Sequence, residues 1–397
     1  MASDLTTVAF IFMKKYADSL AGDIAMRMHP LFTRIGKQDG FVGTGFNYAV
    51  RYGNPQGVSA GFANAQTDSA VSKGVQMQAL RFVKYGVITL NGEAMAATPD
   101  RGAFLDLVTM ETDGILEEMG DSFAFDLYRQ GYGIRGRRSS ASTNVITLTS
   151  QDDARNFKVG MTVIASPNAT GLSPRTGSTT VSGIDIDAGT VTLTSAASIT
   201  SFSDNDYLLR DGDQSACMEG LESCTPLVAP VQTVDSFRGI DRGVQAAYLA
   251  GSRLDDVTNT IEENAGRVAV KIAQNGGKAD ELYLNPGKFW EVARRLNAKV
   301  EYEGGGGEAT YGFETLKIAT PAGTLTCVSD PDCPTNRGRI VKSSGHYLKT
   351  LKALPHIIMD DGRPNLRSSS ADSIEARARG WVNLIQNDPR SMGVFSI

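Results

Sequence analysis

The chain has 397 residues, of which 41% are hydrophobic and 21% charged, and it contains 42 glycines and 14 prolines. This length allows two or three domains and a sizeable buried core. With 39 basic against 44 acidic residues, the formal net charge is -5. A protein that works mainly by coating nucleic acid needs a cationic face, so that class is excluded.

The sequence predicts neither a membrane span nor a secretion signal. Its apolar run, Val8 to Met13, is far shorter than the roughly 20 residues that a membrane-spanning helix needs. Asp4 stands where a signal peptide has positive charge. We therefore expect a chain that is cytosolic where it is made and has no membrane contact.

The residues before about position 50 are predicted to form an arm. A helix is predicted around Lys14 to Met28, and glycines follow at 36, 40, 43 and 45. A run so rich in glycine resists regular structure. We expect an extended arm with little core of its own.

The next segment, Tyr52 to Ala97, is predicted to form a long hairpin. Residues typical of strands become dense between Gln76 and Leu90, which would form one arm of that hairpin. Asn91-Gly92 follows directly and is a turn signal.

Apolar residues then recur three or four positions apart, which indicates a helix. The pattern predicts a helix from Gly102 to Gln130, about 40 Å long, with Gly131 placed to end it. Gly114 and Gly120 lie in its interior, where each glycine costs about 1 kcal/mol. That cost is tolerable where a helix has to bend.

A basic segment, Gly133 to Ser140, allows two interpretations: a phosphate-contacting patch or a solvated hinge, of which the hinge is favoured. From Asn144 to Asp211 the composition changes to Thr, Ser, Val, Gly and Asp. Short strands separated by turn residues there predict a small inserted barrel or sandwich. The predicted strands lie at Val145–Leu148, Val159–Ile164, Thr179–Asp187 and Gly189–Thr194.

Beyond Cys224, helices and strands alternate, which predicts an α+β body with a mixed sheet. Helices are predicted at Thr258–Gln274 and Lys288–Leu296. Strands are predicted at Glu281–Leu284, Thr315–Ile318, Thr324–Val328, Arg339–Lys342, Tyr347–Leu351 and Glu375–Leu384.

No motif supplies catalytic or metal-binding chemistry. Cys217 and Cys224 are separated by six residues and Cys327 and Cys333 by five, whereas paired zinc ligands are separated by two to four. We expect ordinary thiols, no metal and no cofactor.

The remaining candidates for chemistry are equally weak. Gly304 to Gly307 is flanked by glutamates that repel phosphate, so it is predicted to be a flexible loop tip. His346 has no acid partner that its spacing identifies, and His356 is typical of a core edge. Asp360-Asp361-Gly362 lacks the rest of a calcium loop and predicts a turn. An enzymatic function has no residue to support it.

The order of these parts resembles the major capsid proteins of tailed bacteriophages, which have the Hong Kong 97-type fold. Arg51 to Ala97 is similar to the extended E-loop of that family, and Gly102 to Gln130 to the spine helix of its peripheral (P) domain. Gly220-Leu221 resembles the segment that re-enters the body. Thr258 to Leu296 looks like part of the axial (A) domain, and Glu375-Ala376-Arg377 looks like the closing strand.

The resemblance implies an α+β, Hong Kong 97-type fold with an inserted small β-barrel or sandwich module. The implied divisions are an N-terminal arm (1–50), an E-loop hairpin (51–100), the spine helix of the P domain (101–140), the inserted β-rich domain (141–212), a P-domain return (213–255), an A domain (256–355) and the C-terminal P-domain strands (356–397).

By this resemblance, the chain would be a non-enzymatic major capsid protein that assembles into pentamers and hexamers around double-stranded DNA, without sequence-specific binding. The implied partners are copies of itself, a separate scaffolding protein and a portal protein, with a decoration protein left open. The implied location is the virion, after assembly in the host bacterial cytoplasm.

Particular residues follow from the resemblance as well. Arg81, Lys84 and Tyr85 would make assembly contacts in the E-loop, and the flexible loop at Gly304, Gly305, Gly306 and Gly307 would lie near the ring axis. Gly114 and Gly120 would be hinges of the spine helix, which would rearrange as the shell expands. Covalent crosslinking is not implied: Lys73 and Lys84 have no assignable acceptor asparagine, and we expect solvated lysines.

Two other classes stay open. An encapsulin-like nanocompartment shell would have the same fold but package an enzyme, and gene neighbourhood would separate it from a virion. A soluble enzyme or carbohydrate-binding protein would use Asn144 to Asp211 as its binding module. That class predicts a monomer or small oligomer with a defined pocket.

Overall fold

A computed structural model describes residues 29–91, 101–195, 201–234, 236–296, 316–358, 365–367 and 372–397. The chain divides into two compact units. The first comprises Met1–Arg81, Tyr85–Ala124 and Cys224–Ile397, and the second comprises Phe82–Lys84 and Phe125–Ser223. None of the helices within the described ranges is both long and apolar enough to cross a membrane.

The helices range from a single turn to one long element, α3. They are α1 (Pro30–Arg34), α2 (Phe62–Thr67), α3 (Arg101–Tyr128), α4 (Leu221–Cys224), α5 (Ala246–Leu249), α6 (Ile261–Gln274) and α7 (Pro286–Leu296). Short 3-10 turns lie at Gln151–Asn156, Arg242–Gln245, Ser343–Gly345 and Pro389–Ser391.

The strands follow in chain order. They are β1 (Gly36–Gln38), β2 (Gly45–Gly53), β3 (Lys73–Leu80), β4 (Phe82–Asn91), β5 (Ile134–Ser142), β6 (Val145–Leu148), β7 (Thr162–Ser166), β8 (Thr179–Asp185), β9 (Thr190–Leu193), β10 (Tyr207–Arg210), β11 (Ser236–Phe237), β12 (Ile240–Asp241), β13 (Ser252–Leu254), β14 (Glu281–Leu284), β15 (Leu316–Thr320), β16 (Gly323–Ser329), β17 (Arg337–Val341), β18 (His346–Thr350), β19 (His356–Ile357), β20 (Asn365–Arg367), β21 (Ser373–Gln386) and β22 (Gly393–Ser396).

Strand β21 organises one sheet of the first unit. It pairs with β18, β19, β20 and β4, and β1 adds to β18 in parallel. Gly380 of β21 lies so close to helix α3 that an added Cβ would be 2.6 Å from the Phe123 ring. Phe32 of α1 stacks on the same ring, with centroids 6.5 Å apart. The helix is therefore packed between α1 and this sheet.

A second, six-stranded sheet of the first unit has the order β13-β22-β17-β14-β16-β15. It combines parallel and antiparallel pairs, as predicted. Helix α6 covers it through Val268, Ala269 and Ile272, which are fully buried. The helix begins at Ile261, three residues later than predicted. Asp256 holds Thr258 in a turn, and the hydroxyl of Thr260 caps the helix at the Glu263 N–H.

The second unit contains a closed barrel with the strand order β10-β5-β6-β9-β8-β7. The inserted β module predicted from composition is thus confirmed as a barrel. Its interior is filled by aliphatic and aromatic side chains such as Ile146, Val163 and Leu208. The prediction that Gly133 to Ser140 is a solvated hinge is wrong, because most of this segment belongs to strand β5. There the Arg138 guanidinium is buried and donates to the Phe202 carbonyl at 2.8 Å.

The predicted single strand Gln76 to Leu90 is two strands, β3 and β4, separated at Arg81. β3 pairs with β2, which begins at Gly45 inside the glycine-rich run, whereas β4 pairs with β21. The prediction of little core in that run is also wrong at Phe41, which is fully buried. Gly40 and Gly43 adopt positive φ, so the glycines make turns between packed residues.

Helix α3 matches the predicted helix but ends at Tyr128, two residues before Gln130. The N–H of Arg129 donates to the carbonyl of Asp126, three residues earlier instead of four, and this bond closes the last turn of the helix. Gly131 follows with φ +83°. Its 28 residues give a length of about 42 Å.

Candidate assembly surfaces

The hairpin formed by β2 and β3 is anchored at its base. Alternate residues of each strand face inward, so Tyr48, Val50, Met77 and Ala79 are buried together with residues of the body. The Arg238 guanidinium donates to the Tyr48 hydroxyl at 2.8 Å. The base of the hairpin therefore belongs to the core of the first unit.

The outer part of the same hairpin has no core. From Arg51 to Gln76 no residue is buried, and helix α2 within it buries none of its side chains. Three large apolar residues are almost fully accessible: Val58 at 96%, Phe62 at 83% and Val71 at 84%. We define these three residues as the hairpin tip. A hairpin segment that has no core of its own and exposes large apolar side chains offers a contact surface to a partner.

The three residues predicted for E-loop contacts have different surroundings. Arg81 is half-buried and its guanidinium lies 5.9 Å from the Trp381 ring. Tyr85 is exposed on β4. Lys84 is only 12% exposed, so its predicted solvation is wrong, whereas Lys73 is exposed as predicted. Their role in assembly stays a prediction.

Lys84 lies in a buried ionic cluster of the second unit. Its Nζ is 2.6 Å from Asp126 and 3.7 Å from Asp213, which is also 3.7 Å from Arg135. The Arg135 guanidinium lies 4.7 Å from the centre of the Phe125 ring. Burial, the largest single influence, lowers the pKa of Lys84, but the nearby groups, Asp126 first and then Cys217 and Asp213, together outweigh it, so the pKa is raised. Two cations and two anions thus compensate one another away from water.

The predicted hinge glycines lie inside α3, which continues through both positions without a break. Gly120 is buried, whereas Gly114 is exposed, and an added Cβ at 114 would meet no atom within 4 Å. Their role as hinges stays a prediction. Gly304, Gly305, Gly306 and Gly307, with Asp360-Asp361-Gly362 and the helix predicted at Lys14 to Met28, lie outside the described residues.

His29 is a site that the sequence interpretation missed. Its Nδ1 is 2.6 Å from Asp332 and its Nε2 is 2.8 Å from Asp121 of α3. Burial by itself lowers the pKa of His29, but the hydrogen bonds to both carboxylates outweigh it and raise the pKa to about 10. The imidazolium links the residue that precedes α1 to helix α3. The partners are 92 and 303 residues away in sequence, so spacing gives no signal of them.

The other two histidines are structural. Burial lowers the pKa of His346 to about 4, so its imidazole is neutral near pH 7. His356 is buried, and its Nδ1 bonds to the Ala353 carbonyl at 2.9 Å. All four cysteines lie within the described ranges, where they are buried and form no disulfide. Within the described ranges, no three His, Cys, Asp or Glu side chains converge in a way that could hold a metal ion.

No protein-family model matches this chain, and no curated protein matches its sequence. Among solved structures it is similar to the cyanophage A-1(L) capsid asymmetric unit, at 10% identity and a TM-score of 0.53 over 93% of this chain and 92% of that one. It is also similar to the capsid of an empty GTA particle (10% identity, TM-score 0.47, 92% and 95% covered). The holo-SrpI encapsulin complex of Synechococcus elongatus PCC 7942 matches at 7% identity and a TM-score of 0.43 (93% and 88% covered).

The likeness to the cyanophage chain extends over nearly the whole length of both chains. The chain therefore has the Hong Kong 97-type α+β capsid fold that the order of its elements predicted.

Proposed function

We propose that this protein is the major capsid protein of a tailed bacteriophage, a structural subunit that assembles with copies of itself into a closed shell around double-stranded DNA. The observation that carries the proposal is the hairpin: anchored in the core at its base, and without a buried residue from Arg51 to Gln76. The capsid fold supports the same interpretation.

The exposed apolar side chains of the hairpin tip support a contact with a second subunit at a fixed position. Fully burying a valine or phenylalanine side chain contributes about 1.5 to 3 kcal/mol, so Val58, Phe62 and Val71 together offer about 6 kcal/mol to a contact. That contribution is available only if another molecule covers them. A hairpin fixed at its base presents the tip in one place, as a repeated contact between identical subunits requires.

The finer parts of the proposal follow from the capsid role. Copies form pentamers and hexamers, assembly proceeds in the host bacterial cytoplasm with a scaffolding and a portal protein, and the product is the virion. The net charge of -5 is compatible with enclosing DNA without binding it tightly. The protein is not an enzyme in this role, and it uses no cofactor.

Negative-stain electron microscopy of the purified protein, with light scattering on the same sample, tests the proposal. We expect closed particles or free rings of five and six subunits. Particles that contain DNA support the phage capsid, whereas particles that enclose an enzyme would assign the chain to the encapsulin-like alternative. A monomer of 42.4 kDa that stays unassembled with a scaffolding partner would contradict both.

A further inference from the structure

A cavity of about 550 Å³ lies between the β2–β3 hairpin and the body of the first unit. Its volume falls in the range of pockets that bind ligands, about 300 to 1,000 Å³. Most of the residues that line it are polar. On the hairpin side they are Val50 to Asn54 and Gln56, and on the body side they are Gln245, Tyr248 and Asn387 to Arg390.

The charges that line the cavity are not balanced. Its lining contains two guanidiniums, Arg51 and Arg390, but one carboxylate, Asp388. Both oxygens of that carboxylate are already bonded: Oδ1 accepts from Arg390 at 3.2 Å, and Oδ2 accepts from Lys342 at 2.9 Å and from Ser391 at 2.8 Å. Burial by itself would raise the pKa of Asp388, but these bonds outweigh it and lower the pKa. Asp388 is therefore an anion shared between two cations.

Arg51 is the cation that this carboxylate does not serve. It is exposed, and among the described residues no carboxylate lies within ion-pair distance of its guanidinium. A bulge interrupts the pairing of β2 with β3 between Arg51 and Gly53, which bends the strand at the edge of the cavity. On the body side, Arg390 is 44% exposed and lies 5.9 Å from the centre of the Tyr248 ring. Two guanidiniums are thus available to a carboxylate from outside.

The cavity is continuous with the hairpin tip. Its lining includes Gln56, which is exposed and lies two residues before Val58. Gln56 also pairs with Ala70, the residue next to Val71. A molecule that covers the hairpin tip therefore also lies at the mouth of the cavity. Under the proposed function, that molecule is a second copy of this chain.

A second copy also supplies the complementary charge. The chain has 44 acidic against 39 basic residues, so each copy has an excess of carboxylates to offer. A contact of this kind joins the cavity of one copy to a different face of the next. Such head-to-tail contacts generate closed rings when the rotation between copies closes.

We propose that the cavity receives an acidic side chain of a second copy, whose carboxylate bonds to Arg51 and Arg390 while the hairpin tip contacts the same copy. The inference rests on the proposed function, because it needs an assembled neighbour. It adds a directional charged contact beside the apolar one. Burial of apolar side chains is non-directional, whereas charge pairs fix the register of an interface.

Carbodiimide coupling of the variant Arg51→Lys tests the contact directly. The lysine keeps the positive charge and gains an amine, which the carbodiimide joins to a touching carboxylate as an amide while the reagent takes up the water that is lost. Particles or rings are formed from equal amounts of unlabelled and nitrogen-15-labelled subunits, and mass spectrometry identifies the linked peptides. Lys317 is exposed and does not line the cavity, so its links measure the background.

We expect links from position 51 to an acidic residue, above the background at Lys317 and with the mixed isotope labels of two different chains. Links within one chain would overturn the proposal and assign the cavity to another segment of that chain. Particles whose links from position 51 do not exceed the background would overturn it too, but would leave the capsid function standing. A protein that forms neither particles nor rings would overturn both.

Charge reversal gives a second measurement that needs no coupling. Arg51→Glu/Arg390→Glu should raise the subunit concentration needed for assembly about tenfold or more, because like charges would meet across the interface. The matched control, Arg294→Glu/Lys317→Glu, changes the net charge equally at two exposed residues that do not line the cavity, and it should assemble like the parent protein. Thermal unfolding checks that both variants fold. Equal assembly of the two variants would contradict the charged contact.

Discussion

The imidazole of His29 is buried and is bonded on both sides by carboxylates, Asp332 and Asp121. A neutral imidazole could donate to only one of them, so the second ring proton is what completes the arrangement. Protonation of this one residue therefore joins α1, α3 and the loop that carries Asp332. Its contribution to stability must depend on pH.

The sign of that dependence follows from the pKa. It is about 10 in the folded chain and 6.5 for an ordinary histidine, so the stabilisation is complete below pH 6.5 and lost as the pH rises through 10. We expect His29→Gln to lower the free energy of unfolding by about 3 kcal/mol at pH 6 and by little at pH 10.5. Urea unfolding at both pH values measures this difference.

Thr33→Val is the matched control. Thr33 is on the same helix turn and its hydroxyl donates to the His29 carbonyl at 2.9 Å, but it carries no titratable group. Its effect on unfolding should be the same at pH 6 and pH 10.5. A His29→Gln effect that also stays constant over this range would show that the imidazole is not held as a cation.

Among the elements, helix α3 involves two glycines under opposite constraints: Gly220 packs against its end, and Gly114 lies within it. At its C-terminal end, the Gly220 N–H donates to the Arg129 carbonyl at 3.0 Å, and a Cβ on Gly220 would overlap with the carbonyl oxygens of Asp126 and Leu127. Gly114, by contrast, faces open space. The first glycine is required by close backbone packing, whereas the second only weakens the helix.

Alanine substitutions should therefore act in opposite directions. We expect Gly220→Ala to destabilise the protein by about 3 kcal/mol, because backbone atoms on both sides must move. Gly114→Ala should stabilise it by about 1 kcal/mol through helix propensity. Thermal unfolding of the two variants beside the parent protein checks both signs. A Gly220→Ala variant as stable as the parent would contradict the packing at this helix end.

Elements with local patterns were predictable from the sequence. Val145–Leu148 and Glu281–Leu284 have the predicted bounds, and the barrel follows from short strands separated by turns. The break at Arg81 was not predictable, because it lies within an unbroken run of strand-forming residues. What separates β3 from β4 is the choice of partner strand, and β21 is almost 300 residues further along the chain.

The sites were harder to predict than the elements for the same reason. The sequence predicts a solvated Arg138, because its neighbours in sequence are basic and polar. Its guanidinium instead donates a hydrogen bond to the carbonyl of Phe202, 64 residues away. Lys84 is likewise neutralised by Asp126. Charged residues become core residues when distant partners compensate them, and a local pattern contains no information about those partners.

On the scale of the whole molecule, the side chains of the hairpin tip should contribute to assembly between subunits but not to the stability of a single chain. Val58, Phe62 and Val71 contact no core, so replacing all three with serine should change the free energy of unfolding by no more than about 0.5 kcal/mol. The same change removes an apolar contact worth several kcal/mol per subunit in an assembled ring. We expect a folded protein that no longer forms particles or rings by light scattering and electron microscopy.

The matched control removes exposed apolar residues from the barrel, with Val159→Ser, Leu172→Ser and Ile186→Ser. If the hairpin tip is an assembly contact, the tip variant loses particles and the barrel variant retains them more fully, although both lose three apolar side chains. Particles formed equally well by the tip variant would contradict the assembly role of the hairpin. A tip variant that unfolds more easily would instead mean that these side chains are packed within the isolated chain, because a contact made only between subunits cannot stabilise a monomer.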